Sequence, residues 1–400
     1  MLGSTKLRNS TLQKTEVIQI DGRLFCTPAN LRKKTLPNIF LTNSTLRVVD
    51  LFCGCGGLSY GALLAGLHHN RAVHFKLAVD FNAAALAVYK TNFEKYAQAI
   101  KEEDIQALVT LSSKAASPTK KEKSTLGSIG TIDLIVAGPP CQGHSDLNNT
   151  SRRSDPRNNL YLAPARAAAS LKPKVLIIEN VPTVTRSAED VVNQSRNLLE
   201  RLGYFVEELT IDLTRIGIPQ SRTRHVQIAS LKPLDNLLES IKHLKPKGVG
   251  CYEYIRDLEN EANADGDAFI RTTKLTEDNI NRINYLFSNN IYDLPNSMRP
   301  PCHRDKEHSY VSMYGRLDPY RPAQTITSGF GSMGQGRFVH PTKPRMITAH
   351  EAARLQGFPD SFSFSNCTHV TKLREMIGNA VPPQMTQVIV SLLINYKHFD

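Results

Sequence analysis

The sequence predicts an α/β protein, a mainly parallel sheet with crossover helices, followed by a smaller domain of irregular structure. Three observations predict it. Short apolar runs bounded by turn residues recur from Leu46 to about residue 230. Helical stretches separate them, the alternation that parallel strands need for their crossovers. After Ser230 the alternation stops, and residues 231–310 mix charges, prolines and scattered aromatics such as Tyr252, Tyr254, Tyr285, Phe287 and Tyr292. With 400 residues there is material for one large core and a smaller one.

The elements follow in order. Residues 1–45 are basic, polar and poorly periodic, an extension with one short strand expected at Val17–Ile20. Leu46–Phe52 reads as a strand that runs through glycines into a helix over Leu58–Leu67. His74–Val79 is a second strand, ending at Asp80 and followed by a helix to about Asn92. Residues 110–128, rich in Ser, Thr and Lys, read as an inserted surface loop. Ile132–Gly138 is a buried strand, Leu160–Leu171 a helix and Lys174–Glu179 a strand. Strands near 204–213 and 225–229 complete the sheet. A helix over Thr348–Leu355, a turn at Gly357–Asp360 and a helix over Gln384–Tyr396 close the chain, and no internal repeat is visible.

The formal charge of +12 favours an anionic partner, nucleic acid first. Seven cysteines stand at 26, 53, 55, 141, 251, 302 and 367 without C-x-x-C or zinc-finger spacing. Cys53 and Cys55 would make one ligand pair, but no second pair lies near. A reduced, intracellular protein without structural metal is therefore expected. The chain shows no apolar signal core and no run near the ~20 apolar residues of a membrane span, so a soluble protein is expected.

Four stretches carry chemistry. Pro139-Pro140-Cys141-Gln142 holds a thiol on a stiff loop at the carboxyl end of a strand, where α/β sheets place their sites. Asp50-Leu51-Phe52-Cys53-Gly54-Cys55-Gly56-Gly57 lets backbone approach a ligand at a helix amino terminus, and Asp80 can accept ribose hydroxyls. The glycine spacing does not match G-x-G-x-x-G, so a nucleoside cofactor without a diphosphate suits it better. Glu179-Asn180-Val181-Pro182 ends the strand expected beside that of Cys141, where a partly desolvated carboxyl could donate a proton near neutrality. Gln220-Ser221-Arg222-Thr223-Arg224 puts two arginines on one side of an extended segment, fit to bind phosphate, orient a carboxylate or lower a thiol pKa. Singly, each has a plain reading: a structural cysteine, a tight turn, a capping carboxylate, a solvated strand end.

Together, over about residues 46 to 395, they resemble the DNA cytosine carbon-5 methyltransferases, with Arg321–Ile326, Arg354–Pro359 and Gly378-Asn379 in the family's order. The resemblance implies a Rossmann-like sheet that takes S-adenosylmethionine and a smaller target-recognition domain. It implies catalysis by Cys141, Glu179, Arg222 and Arg224, with Arg224 nearest the cytosine carbonyl. The methyl donor would be lined by Phe52, Gly54, Gly56, Gly57, Asp80, Phe81, Asp104, Ile105, Pro140, Leu160 and Asn379. Gln142, Ser145, Arg152, Arg153 and Arg157, on a loop over 142–159, would touch the DNA and close over a flipped base.

The same resemblance divides the chain into an extension (1–45), a catalytic domain (46–230 with 370–400), a recognition domain (231–345) and a hinge (346–369), with the last helix beside the first strand. Double-stranded DNA is the expected partner of a monomer in the bacterial cytoplasm, with a separate restriction endonuclease possible, since the compact length suits a bacterial or phage enzyme. Two other readings use the same residues: a tRNA cytosine methyltransferase, and a catalytically silent DNA-binding member. The discriminating region is 231–320, which must reach base edges in a duplex groove or read a folded RNA loop.

Overall fold

The computed structural model describes residues 26–35, 44–141, 155–244, 250–305 and 312–400. The strand expected at Val17–Ile20 lies outside the described residues. Nine strands are formed among the described residues: β1 (Thr45–Leu51), β2 (Ala72–Asp80), β3 (Ile100–Glu102), β4 (Leu134–Ala137), β5 (Val175–Asn180), β6 (Phe205–Asp212), β7 (Gln220–Ser221), β8 (Thr223–Ser230) and β9 (Ala323–Gln324).

Seven of them make one sheet in the order β3-β2-β1-β4-β5-β8-β6. β1 pairs in parallel with both β2 and β4, so the winding reverses between β1 and β4. The crevice outside the strand ends at such a reversal is where doubly wound sheets take ligands. Every residue of β4 and β5 is buried, which explains their unbroken apolar runs: helices cover both faces. In β1 the alternation splits the core. Leu46 and Val48 pack with the helices Gly57–His68, Ala83–Phe93 and Pro383–Asn395, while Val49 and Leu51 pack with Ala163–Leu171 and Val191–Arg201.

β8 runs antiparallel to both of its neighbours, β5 and β6. The sheet is thus mainly parallel, as expected, with one strand reversed. That reversal places the start of β8 at the edge where the parallel strands end.

The last helix shares the apolar cluster of the first strand and reaches it beside the helix Gly57–His68: a Cβ on Gly61 would sit 2.1 Å from the Pro383 carbonyl oxygen, and one on Gly57 2.2 Å from that of Val381. Glycine is what lets the two backbones meet. One expectation is corrected: residues 110–128 are not merely a surface loop. Thr119 and Glu122 form a capping box that starts a helix over Lys120–Leu126. Glu122, fully buried, also accepts from the Thr110 amide at 3.0 Å and from the Arg166 guanidinium, whose Nε lies 3.1 Å from Oε1. A buried ion pair therefore clamps this insert to the core.

Among the described residues one stretch, Val370–Asn395, is long and apolar enough to cross a membrane, but its apolar window is 94% buried within the fold. It consists of two helices, Val370–Asn379 and Pro383–Asn395.

Beyond β8 the chain is irregular. The helix Asp235–Lys242 rests on the last helix through Ser240 Oγ and the Tyr396 hydroxyl, 2.7 Å apart. The helix Glu277–Ser288 and several single-turn helices follow. Ala323-Gln324 then pairs with Gln220-Ser221, stitching this region back to the sheet edge.

Candidate active site

The glycine turn is built from three left-handed residues, Phe52 (φ 60°), Gly54 (φ 51°) and Gly56 (φ 102°). Phe52 is the unusual one, since a bulky side chain rarely takes that conformation. Asp80 holds the turn: its Oδ2 accepts from the Gly54 amide and its Oδ1 from the Asn82 amide, both at 2.8 Å. Burial holds its carboxyl above the usual range, offset by those amide bonds. Beneath the turn the fully buried Asp50 accepts from Ser59 Oγ at 2.6 Å, and the Tyr89 hydroxyl lies 2.8 Å from the same Oγ. Burial pushes the Asp50 carboxyl up to about 8. Cys53 and Cys55 are buried, at 5% and 3% exposure, and burial raises both thiols.

The other residues expected around a methyl donor gather on this edge. Phe81, directly after Asp80, is 69% exposed. Asp104 is exposed and caps the turn Ile105–Leu108 by accepting from the Gln106 amide at 2.8 Å, while Ile105 is buried. The Asp104 segment is tied to the second strand through the Glu103 amide, which donates to the Asp80 carbonyl at 3.0 Å. Half-buried Leu160 packs on the same apolar cluster as Phe52. Pro140 is half-buried, and Asn379 is exposed at the end of its helix, two residues from the Val381 carbonyl that meets Gly57.

The second half of the site lies across the switch point. β4 ends at Ala137, and Gly138-Pro139-Pro140 carries the chain to a half-buried Cys141. Asn180 ties this loop to the neighbouring strand by donating from Nδ2 to the Pro139 carbonyl at 3.2 Å. Because β8 is reversed, Glu179 faces Val226 and Asn180 faces His225, so Arg224 comes just past the end of β5. Its Nε lies 2.7 Å from Glu179 Oε1, with both residues below a tenth exposed. The other carboxyl oxygen points towards Gly138, where a Cβ would be 3.8 Å from it.

Period-two alternation does put both arginines on the buried side, but their partners differ. Arg222, 3% exposed, donates to the carbonyls of Ile326 at 3.0 Å and Ala380 at 3.2 Å. It holds backbone, while Arg224 holds the carboxylate. The Cys141 thiol is raised by burial first and then by Glu179, and drawn back by Arg224 and Arg222.

Three residues of the stretches singled out in the sequence, Gln220, Gln356 and Arg354, have a structural part in this site that no local pattern announced. Gln220 Nε2 donates to the Leu355 carbonyl at 2.9 Å and to Gln356 Oε1 at 2.6 Å, while its Oε1 accepts from the Ile326 amide at 3.0 Å. Gln356 Nε2 in turn donates to the Ile377 carbonyl at 2.6 Å. Arg354, 1% exposed, reaches the Tyr254 carbonyl at 2.9 Å and both oxygens of Asp360 at 2.6 Å. The stretches at 220–224, 321–326, 354–359 and 378–379 are thus one buried polar network behind the cysteine.

Of the residues expected to touch DNA, Gln142, Ser145, Arg152 and Arg153 lie outside the described residues. Arg157 is exposed, and its guanidinium bonds Asp155 at 2.9 and 2.7 Å.

The sheet order and the glycine turn at its switch point define a Rossmann-like methyltransferase fold. Within that class, the C-5 cytosine-specific DNA methylase family profile matches residues 46–395, and the chain belongs to that family. The type II methyltransferase M1.BsuMI of Bacillus subtilis is 40% identical over 359 residues, covering 90% of this chain and 83% of the relative. M.DdeI of Desulfomicrobium norvegicum is 27% identical, over 88% of this chain and 89% of its own length. Among solved structures, a methyltransferase encoded within an Escherichia coli prophage is similar at 26% identity and a TM-score of 0.60, with 88% of this chain and 99% of the other covered.

Proposed function

We propose that this DNA cytosine-5 methyltransferase acts through a covalent Cys141 adduct on a flipped-out cytosine in a specific duplex sequence, with S-adenosylmethionine as methyl donor. The observation that carries the reading is the Glu179–Arg224 pair, brought by the reversed β8 to the strand end beside the Cys141 loop. Carbon-5 of cytosine is too weak a nucleophile to take a methyl group directly. Addition of the Cys141 thiolate to carbon-6 makes an enamine whose carbon-5 can attack. Glu179 holds a proton at ring nitrogen 3, which gains electron density in that step. Arg224 keeps Glu179 in place and reaches towards the cytosine carbonyl. Loss of the carbon-5 proton then expels Cys141 and restores the aromatic ring.

The residues fit the donor. An exposed Phe81 offers a ring face for an adenine, Asp104 an acceptor for its amino group and Asp80 an acceptor for ribose hydroxyls, while Gly54 leaves open space where a side chain would stand and Gly56 lets the turn close on Phe93. When bound, S-adenosylmethionine supplies an electrophilic sulfonium methyl. A base inside a duplex is out of reach, so the target must leave the stack, at roughly a few kcal/mol.

Residues 46–230 with 370–400 form the catalytic domain in this reading, 231–345 the recognition domain and 346–369 the hinge. The end of the strand–helix alternation at Ser230 supports that division. The type II names of the relatives support a restriction–modification role. A separate endonuclease, a monomeric state and the bacterial cytoplasm belong to the same proposal. The experiment is expression in a methylation-deficient host followed by bisulfite sequencing, with Cys141→Ser as control. Protected cytosines in one short motif, absent from the control, are expected. Uniform conversion by a soluble enzyme that binds the methyl donor would redirect the reading to tRNA.

A further inference from the structure

Most buried guanidinium groups in this fold face a carboxylate. Arg166 has Glu122, Arg345 has Glu351, and Arg354 has Asp257 and Asp360. Arg222 and Arg316 are turned instead onto backbone carbonyls. Arg374 has neither a carboxylate nor a carbonyl among the described residues. Its guanidinium is half-buried in the helix Val370–Asn379, and among the described residues no carboxylate lies within ion-pair distance of it. Burial alone acts on it, lowering its proton affinity without an opposing anion.

The group is nonetheless held in a built seat. Its Nη2 donates to Thr273 Oγ1 at 2.8 Å, and that hydroxyl donates to the Gly331 carbonyl at 3.2 Å. The guanidinium carbon stands 6.0 Å from the centroid of the Phe330 ring. A Cβ on Gly331 would fall 2.2 Å from that carbon, so the guanidinium lies flat on backbone that only glycine leaves open. A cation desolvated by burial, fixed in orientation and lacking its anion is prepared for an anion from outside.

Its place in the fold says which anion. Gly378 stands one helical turn beyond Arg374 on the same face, and a Cβ there would be 2.2 Å from the Ser328 amide nitrogen. The segment from Ile326 to Gly331 therefore runs along this helix face. It begins at the Ile326 carbonyl that Arg222 holds behind Cys141, and it ends against Arg374. Ser328 on that segment and Ser332 just beyond it are exposed. A strand whose cytosine has swung towards Cys141 would carry its neighbouring phosphates over this surface.

We propose that Arg374 is a phosphate anchor for DNA, its seated guanidinium binding a phosphodiester next to the flipped cytosine. The inference rests on the DNA-methyltransferase reading above and adds a binding residue to it. A phosphate anchor affects cognate and non-cognate duplexes alike.

The test measures binding of a labelled duplex carrying the methylated site, and of a scrambled duplex, across a series of salt concentrations. Wild type, Arg374→Gln, Arg374→Lys and Gly331→Ala are compared, with S-adenosylmethionine binding and melting temperature as controls on the fold. Arg374→Gln should weaken both duplexes by about tenfold at low salt. It should flatten the slope of log affinity against log salt by about 0.9, the release from one phosphate, while donor binding and melting stay at wild type. Arg374→Lys should keep the slope. Gly331→Ala, which displaces the guanidinium and keeps the charge, should weaken binding as well, and it reads the same contact if Arg374→Gln fails to fold. A wild-type slope and affinity in Arg374→Gln, or in Gly331→Ala where that variant stands in, would overturn the proposal. So would a loss of DNA binding matched by equal losses in donor binding and melting. If wild type itself transfers no methyl to DNA, the functional reading fails instead, and the two failures are told apart.

Discussion

Cys141 sits under opposing influences: burial and Glu179 disfavour its thiolate, and Arg224 and Arg222 favour it. The net shift is upward, so the free enzyme keeps a quiet thiol. Alkylation of Cys141 by iodoacetamide without DNA, followed by peptide mass spectrometry, should reach half its limiting rate above the ~8.5 of an ordinary cysteine. Arg224→Gln should move that midpoint higher, because it removes a cation and leaves Glu179 unpaired. A midpoint below 8 in the wild-type enzyme would contradict this picture. Much at this scale was legible. Pro139–Cys141 and Glu179 end neighbouring strands, and adjacency alone brings them to one edge. The division of labour between Arg222 and Arg224 was not legible, because the carbonyls that Arg222 holds lie more than a hundred residues further along the chain.

At the scale of elements, apolar runs located the main strands of the sheet to within a few residues, but not the direction of β8. Strand direction depends on the connection and not on any local pattern, and here it decides whether Arg224 meets Glu179. The helix Lys120–Leu126 was missed although its Thr119-x-x-Glu122 signal was present. A polar helix of 7 residues has little apolar periodicity to read, and its anchor is the buried partner Arg166. Burial pushes the Glu122 carboxyl up, but Arg166 and the Thr110 and Thr119 amides outweigh it and hold it down at about 2. Since the unfolded value is ~4.3, its contribution is complete above about pH 4.5 and is lost as the pH falls towards 2. Glu122→Gln should cost about 3–5 kcal/mol near neutral pH, as removal of one partner strands a buried Arg166, and the penalty should shrink with acidification. Urea denaturation at several pH values checks both, and a penalty that stays constant with pH would refute the linkage. The contact between the helix Gly57–His68 and the last helix is equally specific. Gly61→Ala must push the last helix off by displacing Pro383 or Thr386, and should lower stability by about 1–3 kcal/mol in thermal melts. A neutral result would mean that the two helices do not meet as described.

For the whole molecule, the informative feature is that the motifs far apart in sequence are not separate contact points for ligands. Gln220 and Gln356 bond each other and the backbone, while Arg354 bonds the Tyr254 carbonyl and the carboxylates of Asp257 and Asp360, and together they bind the irregular region to the sheet behind the cysteine. Their spacing could reveal family membership but not this role, because most of the partners are backbone groups without a sequence signature. The central claim is that Cys141 attacks a cytosine of duplex DNA. A duplex bearing 5-fluorocytosine at the methylated position tests it most directly, since fluorine cannot leave as the carbon-5 proton does and the adduct persists. With S-adenosylmethionine present, the wild-type enzyme should become linked to that duplex in a denaturing gel, through a peptide containing Cys141, and Cys141→Ser should not. A linkage that survives in Cys141→Ser, or its absence on a duplex that the enzyme demonstrably methylates without the fluorine, would contradict the account.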